Sequence, residues 1–125
     1  ADPRRRDAEQ ESYIHVSDVL EAVLMAVKKV CGRPGAYGVY NVATGDHVTV
    51  KEIADLAVEC AGLPAGSTSY VFTGGDRGWR GDVPVVRLDT TRIREVGWSS
   101  RLSSREALRQ SMLAMVEDGM AGRLS

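Results

Sequence analysis

Much of what this chain could be is excluded by what it lacks. Its 125 residues hold only two cysteines, Cys31 and Cys60. Neither belongs to a Cys-x-x-Cys pair or stands at zinc spacing from a histidine, so no metal site is expected. Two cysteines do not make a disulfide scaffold, and both are read as small apolar groups at helix ends in a reducing, cytoplasmic setting. No apolar run approaches the roughly 20 residues of a membrane span, and no signal-peptide pattern is present. A basic surplus is missing too. The 16 Lys and Arg are balanced by 17 Asp and Glu, giving a net charge of −1, whereas a dedicated nucleic-acid binder carries excess positive charge.

What is present fits one globular domain: 43% hydrophobic and 26% charged residues, enough for a modest core. Residues 1–11 are polar and highly charged, with Arg4, Arg5 and Arg6 in succession. They are expected to form a flexible polar tail, or to be a remnant foreign to the domain, because they offer little apolar area to bury. The domain is placed at residues 12–120.

Along that domain the patterns alternate. Tyr13 to Val16 reads as a short strand or extended lead-in. Asp18, with Glu21 three residues on, signals a helix start. Val19, Leu20, Val23, Leu24, Val27 and Val30 continue at helical spacing until Gly32 and Pro34. This helix is apolar over more than half its circumference, so it is expected to pack on two sides. Gly38 to Ala43 is rich in β-formers and reads as a buried strand. Thr49 and Glu52 form a capping box for a helix through Ile53, Leu56, Ala57 and Cys60, ended by Gly62. Ser69 to Thr73 reads as a second strand. Strand, helix, strand predicts a parallel βαβ unit with a right-handed crossover. A loop follows, Gly74 to Asp82, with glycines at 74, 75, 78 and 81. After Pro84 and a short extended run, Asp89 caps a brief helix from Thr90 to Val96, closed by Gly97. Ser103 and Glu106 open a last helix bearing Leu108, Met112, Met115 and Val116 and ending near Gly119. Met112 and Met115 are read as core, and Trp98 as core or edge.

Three segments carry a resemblance. Tyr13-Ile14-His15-Val16-Ser17-Asp18 opens a helix. Tyr40-Asn41-Val42-Ala43-Thr44-Gly45 precedes the Thr49-capped helix. Arg80-Gly81-Asp82-Val83-Pro84 leads to Asp89-Thr90-Thr91-Arg92 and then Val96-Gly97-Trp98. Together, in this order, they resemble the extended short-chain dehydrogenase/reductases, NAD-dependent epimerases and dehydratases of nucleotide sugars. The resemblance runs from about Ser12 to Glu117. It implies an α/β fold class: a small helix-rich domain with a short parallel βαβ sheet, the carboxy-terminal, substrate-binding portion of the fold without its Rossmann core.

In such enzymes NAD sits on an amino-terminal glycine-rich turn and transiently oxidises a sugar hydroxyl, assisted by a Tyr-x-x-x-Lys pair. Neither part is expected here. Tyr13, Tyr37, Tyr40 and Tyr70 are followed four residues later by Ser17, Asn41, Thr44 and Gly74. The implied cofactor is therefore NAD in the parent enzyme and none in this chain, with no catalytic residue here.

The loop nevertheless has the chemistry that a nucleoside diphosphate demands. Arg77 and Arg80 offer charge-assisted contacts to phosphate. Asp82 can accept from ribose hydroxyls, Trp79 can stack on a base, and the glycines allow close approach. The competing reading is a solvated Arg–Asp surface loop, whose ion pairs contribute about 0–1 kcal/mol. Two departures from the family stand out. Some members have Arg three residues before the Asp, where this chain has Trp79, and Arg77 is favoured as its substitute. Many relatives have Arg just before Tyr-Ile-His-Val, where this chain has Gln10, Glu11 and Ser12, and Glu11 would repel phosphate. His15 is read as structural and His47 as plain surface. Expected partners are a nucleotide diphosphate sugar, a Rossmann domain in the parent, and a second copy through the exposed apolar face, with no nucleic acid and no membrane. Two other functions are open to this sequence: a non-catalytic interaction or oligomerisation module, and a nucleic-acid accessory using Arg4 to Arg6, which the charge balance opposes.

Overall fold

The computed structural model describes residues 10–72 and 87–123. Its elements run β1 (Gln10–Glu11), α1 (Val16–Val30), β2 (Val48–Thr49), α2 (Val50–Cys60), α3 (Thr91–Glu95) and α4 (Ser104–Met120). Gln10 and Glu11 pair with Thr49 and Val48 through backbone bonds that need no apolar side chains.

Each helix starts and stops for a local reason. His15, not Asp18, caps α1: its Nδ1 accepts from the backbone N–H of Ser17 at 3.2 Å. Lys28 and Lys29 lie in its last turn, where the helix dipole favours positive charge. At α2 the capping box is complete. Thr49 Oγ1 accepts from Glu52 N at 3.1 Å, and Glu52 Oε2 accepts from Thr49 N at 2.6 Å. α3 is closed by Gly97, whose φ of 105° suits glycine, with Trp98 N donating to Ile93 O at 3.2 Å. Ser103 Oγ caps α4 by accepting from Glu106 N.

Asp18 has a different job. It lies on the inner face of α1, 1% exposed. Its two carboxylate oxygens accept from Arg101 N at 3.0 Å and Leu102 N at 3.1 Å. Its backbone carbonyl accepts from the Trp98 indole at 3.0 Å. α1 is thereby tied to the segment between α3 and α4. Ala22, Ile93 and Trp98 form the buried cluster, with Ile14, Met25, Ala26, Tyr40 and Val42 packed against it. Trp98 is core.

The other half is built on α2 against α4, where Val48, Leu56 and Ala107 are buried. Met112 is half-buried there, but Met115 is 61% exposed, against expectation. The half-buried row on α4 is Leu108, Met112 and Val116, four residues apart, and Met115 lies one position off it.

The sheet differs from expectation. Among the described residues it is two-stranded and antiparallel, with Gln10 opposite Thr49 and Glu11 opposite Val48. Among the described residues no parallel βαβ unit is present. Residues 38–43 and 69–72 carry no ladder bonds. The first segment is also not buried throughout: Tyr40 and Val42 lean on the core while Val39 and Asn41 are exposed. β-rich composition sets which side chains are buried, but a strand also needs a neighbouring backbone at ladder distance.

Candidate functional site: a loop held at both stems

Arg77, Trp79, Arg80 and Asp82 lie outside the described residues, which stop at Phe72 and resume at Arg87. The structure defines the two stems instead.

The incoming stem is attached to α2. The Tyr70 hydroxyl donates to Asp55 Oδ1 at 2.9 Å, and Lys51 Nζ donates to Asp55 Oδ2 at 2.9 Å. The Lys51 hydrogen bond, then that of Tyr70, hold the Asp55 carboxyl below its ordinary value, and the Asp55 carboxylate in turn pushes the Tyr70 phenol up. The Phe72 ring meets Tyr70 edge to face, with centroids 6.3 Å apart. A cavity of about 410 Å³ opens beside this stem, lined in part by Asp55, Val58, Glu59, Leu63 and Tyr70. Its carboxylates are already engaged. Glu59 accepts from Arg109 Nη1 at 2.8 Å and faces Arg105 at 3.7 Å, and the Arg109 hydrogen bond foremost keeps its carboxyl low.

The outgoing stem is attached to the segment before β2. Asn41 Nδ2 donates to the Asp89 carbonyl at 3.1 Å. Asp89 Oδ1 accepts from Thr91 N at 3.0 Å and Thr91 Oγ1 at 2.6 Å, turning the chain into α3. Those two bonds, helped by Arg94 and Arg92, hold the Asp89 carboxyl low. Two shallow clefts meet here and share Val39 and Arg92. The smaller, about 190 Å³, adds Asn41 and Asp89. The larger, about 310 Å³, adds Lys29, Tyr37, Tyr40 and Glu95 among others.

A hydrogen-bonded knot fixes the segment that carries Tyr13. Ser104, fully buried at the start of α4, accepts from Tyr13 N at 2.9 Å. Its hydroxyl lies 2.7 Å from Asp46 Oδ1, 3.0 Å from Tyr13 O and 3.1 Å from Thr44 Oγ1. Ser104 N donates to the Asp46 carboxylate at 3.0 Å. Burial pushes the Asp46 carboxyl up, but hydrogen bonds from Thr44 and Ser104 outweigh it and hold the group below its ordinary value. Sequence reasoning missed Asp46, Ser104 and Asn41. Their partners lie 48 to 91 residues away, and no local pattern announces them.

The remaining positions resolve simply. His15 caps α1 and bonds Ser17 Oγ at 2.8 Å. His47 is half-buried rather than surface, because its neighbours Asp46 and Val48 are drawn inward, and its Nε2 has no hydrogen-bond partner among the described residues. Glu11 is half-buried on β1. Among the described residues, no group of three or more His, Cys, Asp or Glu is placed to hold a metal, and no helix is long and apolar enough to cross a membrane.

No family model matches the chain. Similar proteins do. A dTDP-6-deoxy-L-talose 4-dehydrogenase (NAD(P)(+)) of Kitasatospora kifunensis is 31% identical over 102 residues, covering 78% of this chain and 29% of that protein. A probable GDP-L-fucose synthase of Oryza sativa subsp. japonica is 26% identical over 111 residues, covering 89% and 31%. Among solved structures, a UDP-galactose 4-epimerase superposes with a TM-score of 0.68 at 27% identity, over 88% of this chain and 34% of its own. The Thermotoga maritima UDP-glucose 4-epimerase, solved with UDP-glucose, gives 0.64 at 28%, over 94% and 33%. RMD from Pseudomonas aeruginosa, solved with NADPH, gives 0.62 at 27%, over 91% and 34%. The shared folds, the nucleotide-sugar chemistry in these names and the motif order in the sequence agree: the chain belongs to the extended short-chain dehydrogenase/reductases that include the nucleotide-sugar epimerases and dehydratases, and it spans about three tenths of the curated relatives it matches.

Proposed function

We propose that this chain is the substrate-binding part of an NAD-dependent nucleotide-sugar epimerase or dehydratase, holding a nucleoside diphosphate sugar with the Gly74 to Asp82 loop. One observation carries the reading. The only stretch combining arginines, a carboxylate and clustered glycines lies between two stems that are each hydrogen-bonded to a different part of the domain, Tyr70 to Asp55 and Asp89 to Asn41. Residues fixed on either side of a binding segment reduce the conformational entropy left to lose on binding.

In this reading Arg77 and Arg80 neutralise the diphosphate, Asp82 accepts from the ribose hydroxyls, and Trp79 covers the base. The knot around Ser104 sets the position of the Tyr13 segment. Glu11, where many relatives have arginine, leaves the phosphate contacts to the loop arginines.

NAD would supply transient oxidation of a sugar hydroxyl in the parent enzyme. Among the described residues no glycine-rich turn leads from a strand into a helix, the arrangement a dinucleotide site requires. In this reading the residues described here supply substrate contacts, and the redox chemistry belongs to the cofactor domain of the parent enzyme.

The test is a titration with UDP, dTDP and GDP and their hexose conjugates, followed by backbone amide NMR shifts. Localised shifts at residues 74–82 that disappear in Arg77→Ala are the expected result, and the nucleotide giving the largest shifts names the base. Shifts that survive both Arg77→Ala and Arg80→Ala would end the reading. A second reading, a non-catalytic interaction module, is favoured by the exposed outer face of α1, and predicts association without any nucleotide response.

A further inference from the structure

α2 carries a row of charges on one face. Lys51, Asp55 and Glu59 follow at four-residue steps, one turn apart. Glu59 serves the packing of α2 on α4, facing Arg109 at 2.8 Å and Arg105 at 3.7 Å. Asp55 reaches elsewhere. Lys51 Nζ donates to its Oδ2, and the Tyr70 hydroxyl, 15 residues on, donates to its Oδ1, both at 2.9 Å. The Tyr70 ring in turn meets Phe72, the last residue described before the loop. The two stems are not held alike. The outgoing one is fixed at Asp89 by three hydrogen bonds, two of them using backbone atoms. Along the incoming one, Ser67 N donates to Pro64 O at 3.1 Å, and beyond it, among the described residues, no backbone–backbone bond involves residues 68–72. The Tyr70 hydroxyl on Asp55 therefore fastens that stem where no backbone bond does.

We propose that Asp55 is a positioning residue for nucleotide-sugar binding: through Tyr70 it fixes the incoming stem and so raises the affinity for a nucleoside diphosphate. The proposal rests on the binding role argued above for residues 74–82. A segment secured by backbone bonds at one end and by a single side-chain bond at the other keeps the freedom of its weaker end, and a ligand has to remove that freedom on binding. Asp55 touches no ligand in this reading and acts only by holding Tyr70. It is exposed, so its bonds add little to folding stability. Charge alone makes the opposite prediction. A carboxylate near a diphosphate repels it, and removing one by substitution would then tighten binding. The sign of the change therefore separates positioning from electrostatics.

The test is the titration with UDP, dTDP and GDP, repeated on three variants with Kd and melting temperature read for each. Asp55→Ala removes the acceptor for Tyr70 and should weaken binding about three- to tenfold, with the melting temperature unchanged within error. Asp55→Asn keeps a carbonyl oxygen for the Tyr70 hydroxyl while losing the charge, and should bind as the unaltered chain does. Lys51→Ala removes the ion pair and leaves Tyr70 its acceptor, and it too should bind unchanged. Binding that is equal or tighter in Asp55→Ala, or weakened as much in Asp55→Asn, overturns the proposal. Failure of the underlying reading looks different. If the unaltered chain shows no shifts at residues 74–82 with any of the three nucleotides, the site and its positioning residue fall together. If those shifts appear and vanish in Arg77→Ala but Asp55→Ala binds as before, the site stands and only the role of Asp55 is lost.

Discussion

Asp18 and Asp46 hold the same stretch of chain from two sides. Asp18 takes the backbone N–H groups of Arg101 and Leu102, and Asp46 takes that of Ser104 two residues on. Together they fix the start of α4, and with it the Tyr13 segment. They differ in surroundings. Asp18 is almost fully buried and spends both oxygens on backbone donors. Asp46 is half-buried and shares its oxygens with side-chain hydroxyls that can also bond each other. The same chemical group is hard to replace in the first place and replaceable in the second.

That contrast can be tested from the largest effect downward. Asp18→Ala leaves two backbone donors without acceptors beside the core and should cost about 3 kcal/mol of folding stability, read by urea denaturation. A loss comparable to that of Asp46→Asn would erase the distinction. Ser104→Ala removes the acceptor for Tyr13 N and a donor to Asp46, and should cost about 1–2 kcal/mol, with faster amide exchange at Tyr13 as its local signature. Asp46→Asn keeps an acceptor for Ser104 N and should cost less still at neutral pH. Its main effect is on the acid limb. Because the folded carboxyl titrates below its ordinary value, its contribution is complete above the unfolded value and is lost as pH falls through the folded one. Stability of Asp46→Asn should therefore decline less on acidification than that of the unaltered chain. Tyr70→Phe, on an exposed stem, should leave the melting temperature unchanged within error and show itself only as faster exchange at Val71 and Phe72.

The sequence made the helices readable because their signals are local. Thr49 with Glu52 and Ser103 with Glu106 lie within one turn, and Gly97 closes α3 where a left-handed residue is needed. Asp18 was misread for the same reason. With Glu21 three residues on, it mimics a capping box, and nothing nearby reveals that its acceptors are claimed by residues 83 and 84 positions away. The β-rich composition of residues 38–43 could not show whether a partner backbone lies beside them. At the site, residue types pointed to the loop, and the pins that hold its stems, Asn41 and Asp55, were invisible because each is an ordinary polar residue until the chain folds back on it.

The knot at Ser104 also bears on how the chain reaches its fold. Its bond to Tyr13 spans 91 residues. Closing a loop of that length costs about 4 kcal/mol of chain entropy beyond a constant term, whereas the capping box of α2 closes over three. Helices should therefore appear early and the knot late, after the transition state, so that contacts at Asp18, Asp46 and Ser104 govern how fast the protein comes apart and scarcely how fast it forms. In stopped-flow experiments, Ser104→Ala should steepen escape from the native state while leaving the refolding rate nearly untouched. The lifetime of the folded chain, more than its rate of arrival, would then depend on one buried hydroxyl joining its two ends.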